Sequence, residues 1–325
     1  MRRRGFFAKR EIGKMASYAG LIILLCLAPL FMGSYLIHLA ILVLMYIILT
    51  SSLRTIYISG QLSLGHAAFV GIGAYTSAIL AIRLGWTPWG TMLLGGLAAM
   101  IAGILIGFPF SRLRAIYFSM ASLFLGIMVT ALIAVFPKLT EGYTGLMNIP
   151  RLFGFPKEPY YYFFLVLTLV TLFILYRIEH SRVGMTLKAV AQSHLAASSI
   201  GISESRARIL ALAIGCFFAG IAGAGYAHYS TFIAPTDFAL MPSIYLLVYL
   251  LVGGTGSFAG PVVGAIVLVL IPYMMGGFRG FAPFFLAGVL IIVIFLIPQG
   301  IVSLPNRTKS WIRKLHERRV SKSVS

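Results

Sequence analysis

Two stretches of the chain place hydrogen-bonding side chains among glycines inside otherwise apolar sequence. The first runs Gly60-Gln61-Leu62-Ser63-Leu64-Gly65-His66-Ala67-Ala68-Phe69, with Gly71, Gly73 and Tyr75 following. The second runs Gly253-Gly254-Thr255-Gly256-Ser257-Phe258-Ala259-Gly260-Pro261, with Gly264 following. Amide, hydroxyl and imidazole groups at membrane depth can bind a passing polar solute. Glycine-broken helices there are tolerated only when buried in protein or facing a watery path. Paired interruptions in the two halves of a chain point to a translocation site by analogy with secondary carriers. The candidates for such a path are Gln61, Ser63, Gly65, His66, Thr255 and Ser257. The alternative is close helix packing, which also selects Gly and Ser, and a lone membrane histidine that bonds a neighbouring backbone. Gly71 and Gly73, and the ridge Gly215, Ala219, Gly223 and Ala227, read as packing alone.

Other chemistry is missing. The chain has seven acidic residues, and none sits in the middle of an apolar run. A carrier that binds protons or sodium ions usually keeps a carboxylate or a charge pair within the bilayer. No Gly-x-x-x-x-Gly-Lys-Ser/Thr sequence occurs, so the chain lacks a phosphate-binding loop for ATP. No HExxH, no GxSxG and no catalytic carboxylate pair is visible. The six histidines are dispersed, and Cys26 and Cys216 lie in separate apolar runs without metal-ligand spacing. The expectation is a non-catalytic chain with no cofactor of its own.

The elements that carry these residues are membrane helices. Hydrophobic residues make up 60% of the 325, charged residues only 10%, and mean hydropathy is +0.97. Apolar runs of about 20 residues recur along nearly the whole chain. Ten segments are expected: 17–33, 35–51, 56–82, 89–110, 116–136, 160–176, 209–229, 241–252, 261–275 and 281–301. The fold class is therefore an all-α polytopic integral membrane helical bundle with glycine-broken helices. A basic segment (1–16) precedes a transmembrane domain (17–303), and a basic tail (304–325) follows it. The start resembles a signal peptide but lacks an A-x-A site, so it reads as an uncleaved first span.

A net charge of +19 in a soluble chain would suggest nucleic acid. Here the basic residues flank spans and face lipid headgroups, so no nucleic-acid partner is expected. With the N-terminus inside, only Arg83, Lys138, Arg151, Lys157 and Arg279 of the 26 Lys and Arg fall outside. That asymmetry follows the positive-inside rule and puts both termini in the cytoplasm. Trp86, Trp89 and Tyr160 to Tyr162 sit at the outer interface, where amphipathic rings are favoured.

The longest inside loop runs over residues 177–208. Residues 186–199 are expected to form one short amphipathic helix with Leu187, Val190, Ala191 and Leu195 on one face. Gly201 supplies the stop, and Ser203 caps the next helix. Such a helix either docks into a groove on a soluble partner or lies on the inner headgroups.

The segment Gly60–Phe69 with Gly71–Tyr75 closely resembles the LivM-type permease subunits of branched-chain amino acid ABC importers. So do Ser181–Gly184, Leu195-Ala196-Ala197 and Gly201-Ile202, then Phe218–Ala224 with Tyr226–Tyr229, and Gly253–Ser257 with Gly260-Pro261. The resemblance extends over residues 39–300. It implies a bacterial inner-membrane permease that works with a second, related permease chain, two ATPase subunits and a periplasmic or extracellular binding protein. ATP and Mg would be held by the ATPases. The inside loop would be the coupling helix, with Leu187, Val190, Ala191, Leu195, Ala196, Ala197 and Gly201 as its contact residues. The chain departs from the family pattern at His194, at Ile116 and in the outer loop Glu141–Leu146. Permeases for urea, short amides or sugars of the same ABC type, and an ion-coupled secondary carrier, stay open as alternatives.

Overall fold

A computed structural model describes residues 24–113, 115–274, 281, 284, 287–291, 295 and 300–303. The expected basic ends, the start of the first span and most of the tenth segment lie outside the described residues. Among the described residues ten helices of six residues or more organise the fold, with a single-turn helix at Pro137–Thr140 besides. The ten are α1 (Ser34–Tyr57), α2 (His66–Leu84), α3 (Pro88–Phe110), α4 (Ala115–Val135), α5 (Glu158–Glu179), α6 (Arg182–Gln192), α7 (His194–Ser199), α8 (Glu204–Ser230), α9 (Leu240–Gly253) and α10 (Gly260–Met274). Residues 24–31 are also helical. Among the described residues the chain forms no strand beyond an isolated bridge between Leu146 and Ile233.

Seven of these segments are long and apolar enough to cross a membrane: α1 to α5, α8, and a 3₁₀ turn at Pro235–Phe238 continuing into α9. The apolar helix at α10 is shorter. Helices are the natural solution because each satisfies its own backbone in lipid. Local signals fix their ends. Pro88 opens α3 at a position where its missing N–H costs nothing. Gly85 closes α2 in the left-handed conformation at φ 64°.

One expected boundary is corrected. The run 56–82 is not a single segment: α1 continues to Tyr57, a turn occupies 58–60, and helix resumes only at His66. Hydropathy reads through Ile56, Tyr57 and Ile58, whereas the backbone reverses at Gly60, with φ 83°.

The core joins α8 to α2 and α3 through small residues. A Cβ on Gly73 would lie 2.3 Å from the Gly220 carbonyl oxygen, and one on Gly223 would lie 2.2 Å from that of Val70. Small residues let helix backbones approach in this way, so the ridge on α8 and Gly73 do pack. Buried polar groups are tied as well. Nδ1 of His228 donates to the Pro150 carbonyl at 2.7 Å, and its Nε2 lies 2.8 Å from the Ser77 hydroxyl. This bond fastens the loop after Pro150 to the end of α8.

Candidate functional site

Two sites stand at opposite ends of α1. The first is a cavity of about 640 Å³, within the range of small-molecule sites. One wall is a stripe on α1 at helical spacing: His38, Leu42, Met45, Tyr46 and Leu49. The facing wall comes from Tyr226, Tyr229 and Ser230 at the end of α8, with Pro242, Tyr245 and Leu246 on α9. Ala67 and Val70 of α2 also line it. Arg151, Phe155, Pro156 and Lys157 join it from the loop before α5, and Thr236, Asp237 and Phe238 from the 3₁₀ turn.

Polar contacts set this architecture. His38 Nδ1 lies 2.5 Å from the Tyr229 hydroxyl, and the two rings stack at 5.7 Å. Tyr46 packs edge-on against Tyr249. Asp237 accepts the Ala234 backbone N–H at 2.9 Å and so caps its own turn. Among the described residues no lysine or arginine pairs with Asp237, and no acidic side chain pairs with Arg151 or Lys157. Arg151 lies 4.8 Å from the Phe155 ring centre, and Lys157 reaches the Ser34 carbonyl at 3.4 Å.

The second site lies where α1 ends. The Arg54 guanidinium and the Glu179 carboxylate are only 5% and 8% exposed and form a two-pronged pair. One prong joins Nη1 to Oε2, and the other joins Nη2 to Oε1 at 3.1 Å. Lys188 on α6 reaches the same carboxylate at 3.0 Å. Arg54 Nε also donates to the Thr255 carbonyl at 3.2 Å, and the Phe258 ring lies 5.8 Å from the guanidinium. One arginine therefore ties α1 and α5, and through Glu179 α6, to the second glycine-broken segment. A planar guanidinium with five donors suits this junction in a way that an ammonium does not.

The sequence-derived candidates divide between these regions. Gln61, Ser63 and His66 are buried, and His66 Nε2 lies 2.9 Å from the Ser52 hydroxyl. The backbone around them is held by α4: Leu64 N–H donates to Ser122 Oγ at 3.0 Å, and Ser119 Oγ donates to the Leu62 carbonyl at 2.8 Å. Gly65 is pressed against α4, where a Cβ would stand 1.9 Å from the Ser122 carbonyl oxygen. Thr255 and Ser257 are half-buried; the Ser257 hydroxyl accepts the Ala259 N–H at 3.3 Å. None of these six residues is among those lining the large cavity.

The loop helix also differs from expectation. It is two helices, not one. Ser193 interrupts at φ −158°, and its hydroxyl caps α7 by accepting the Ala196 N–H. Leu187, Val190 and Ala197 turn inward and pack with Ala207 and Ala211. Ala191, Ala196 and Gly201 are exposed, and Leu195 is 72% exposed. The break rotates Leu195 away from the face of Leu187. Met185 and Ile200 are exposed nearby. Gly201 does form the stop, at φ 82°, and Ser203 caps α8.

Sequence reasoning missed His38, Tyr229, Asp237, Arg54, Glu179 and Lys188. The available signal was the placement of Arg54 and Glu179 at span ends; the Lys and Arg asymmetry already accounted for Arg54 and hid its pairing.

Residues 35–297 match the family model described as the permease component of a branched-chain amino acid transport system. The chain belongs to this permease family. It is a multi-pass membrane transport component. It is 30% identical over 314 residues to the high-affinity branched-chain amino acid transport system permease protein LivM of Escherichia coli (strain K12), covering 87% of this chain and 74% of that one. Against LivM of Salmonella typhimurium it is 30% identical over 295 residues, 82% of this chain and 69% of the relative. Against LivH of the same organism it is 24% identical over 282 residues, 78% of this chain and 89% of the relative. No solved structure gives a significant match.

Proposed function

We propose that this permease is the transmembrane subunit of an ABC importer that carries branched-chain amino acids into a bacterial cell. Its relatives bear that transport role in their names. The observation that carries the reading is the cavity between α1, α8 and α9 in a chain of this family. The expected orientation places it toward the outside, because Arg151 and Lys157 belong to the sparsely basic side. A binding protein delivers the amino acid there. A second permease chain completes the membrane unit. Two ATPase subunits hold ATP and Mg, and dock on the loop of α6 and α7. The exposed Met185, Leu195 and Ile200 offer apolar contact for that docking. The permease performs no covalent chemistry; it alternates the opening of a path.

Reconstitution tests this directly. Vesicles holding the permease with its partner permease, ATPases and loaded binding protein should accumulate leucine when ATP is on the ATPase side. The permease alone should accumulate none under a proton or sodium gradient. Gradient-driven accumulation by the lone chain would replace the ABC reading with a secondary carrier. ATP-driven uptake of urea or a sugar in place of leucine would keep the class and change the substrate.

A further inference from the structure

We infer that the cavity is itself an amino-acid site that reads both ends of the zwitterion, with Asp237 receiving the ammonium and Arg151 and Lys157 the carboxylate. The inference rests on the reading of the chain as an amino-acid permease. Three observations carry it. First, the rim holds charges of both signs, and none of the three is neutralised by a charged partner among the described residues. One Asp237 oxygen caps its own turn; the other takes no hydrogen bond from the described residues. Arg151 is exposed and Asp237 and Lys157 are partly exposed, so water solvates these charges until a charged ligand takes its place. Second, tyrosine rings at 46, 226, 229 and 245 line the space. An aromatic lining is compatible with a cation such as an ammonium, which is attracted to ring faces. Third, the depth of the α1 wall is aliphatic, with Leu42, Met45 and Leu49 facing Leu246. A branched side chain gains by leaving water there.

This combination discriminates among the solutes that the permease type could carry. Urea and sugars are neutral and can hydrogen-bond to these side chains but form no ion pair with them. A free amino acid brings one charge of each sign and an apolar tail. Two cations against one carboxylate also reject cationic amino acids and amines.

The test reads the permease without its binding protein. Ser230, on the cavity wall, is changed to Cys in a chain with Cys26→Ser and Cys216→Ala. The assembled complex is placed in vesicles and labelled from outside with a charged thiol reagent. Thr236→Cys serves as a second reporter should the first not assemble. Leucine at roughly ten times its dissociation constant should slow labelling about tenfold by mass action. Leucinamide, lacking the carboxylate, and 4-methylpentanoate, lacking the ammonium, should need about tenfold or higher concentrations for equal protection. Asp237→Asn, and Arg151→Gln with Lys157→Gln, should weaken protection by leucine by a similar factor. Equal protection by all three compounds, no protection by leucine, or unchanged protection in the charge variants overturns the inference. ATP-driven leucine uptake, measured on the same complexes with binding protein added, separates the two claims. Uptake without protection removes the site and leaves the proposed function. Protection without uptake removes the proposed function and leaves the site.

Discussion

The two ends of α1 solve the problem of charge in opposite ways. At Arg54 each donor group is engaged: a buried carboxylate, a backbone carbonyl and an aromatic ring surround the guanidinium, and Lys188 shares the carboxylate. At the other end Asp237, Arg151 and Lys157 border a cavity with no charged partner among the described residues. A satisfied cluster resists change and moves as a unit. A rim without ion pairs leaves its charges to water or to a charged ligand. One helix thus connects an open rim with a closed ionic cluster, and the cluster reaches both α6 and the Gly253–Gly260 segment.

The largest test of this contrast is Glu179→Ala. Removing one partner of a buried pair leaves Arg54 uncompensated and should cost about 3–5 kcal/mol. Asp237→Asn should stay within about 0.5 kcal/mol, as expected for a group without a charged partner. Denaturant unfolding of the purified permease in detergent reads both, and equal losses would dissolve the distinction. Next come two leucines on the same helix. Leu53→Ala, at a fully packed position, should fall in the upper part of the roughly 2–5 kcal/mol range for such truncations. Leu42→Ala, beside existing space, should fall near its lower end. The same unfolding assay would contradict the contrast if the order reversed. A smaller effect is expected from Gly65→Ala, where the new methyl meets the Ser122 carbonyl, at about 1–3 kcal/mol. Repair by a second-site change on α4 would confirm that contact. The smallest is Lys188→Ala, since that side chain is 46% exposed and its bond to Glu179 should contribute no more than about 1 kcal/mol. A loss comparable to Glu179→Ala would make Lys188 a full member of the buried cluster.

Much of the bundle was legible because membrane helices are local. An apolar run of sufficient length must satisfy its own backbone, so α1 to α5 and α8 announce themselves in the sequence. Breaks were less legible. The turn at Ile58–Gly60 is flanked by apolar residues, and hydropathy does not register a positive φ. Ser193 caps α7 without a Glu or Gln three residues on, so the usual double signal was missing. The sites were least legible, for a physical reason. His38 and Tyr229 meet across 191 positions, and Arg54 and Glu179 across 125. The stripe Leu42, Met45 and Leu49 looks in sequence like ordinary core, and only packing shows that it borders open space. Glycine patterns did identify the two interrupted segments, but not that α4 clamps the first and Arg54 tethers the second.

In the proposed importer the Arg54 cluster would carry movement from the α6 loop to the membrane path, because it joins α6 to α1 and to the Gly253–Gly260 segment. The most direct measurement is the number of ATP molecules hydrolysed per leucine imported by the reconstituted complex. The double variant Arg54→Gln with Glu179→Gln removes both charges together, so no buried ion is stranded. The expected result is an assembled complex that hydrolyses ATP near the parent rate while uptake falls about tenfold, the scale of a typical coupling free energy. A ratio equal to that of the parent, with uptake intact or with both activities reduced in proportion, would contradict it.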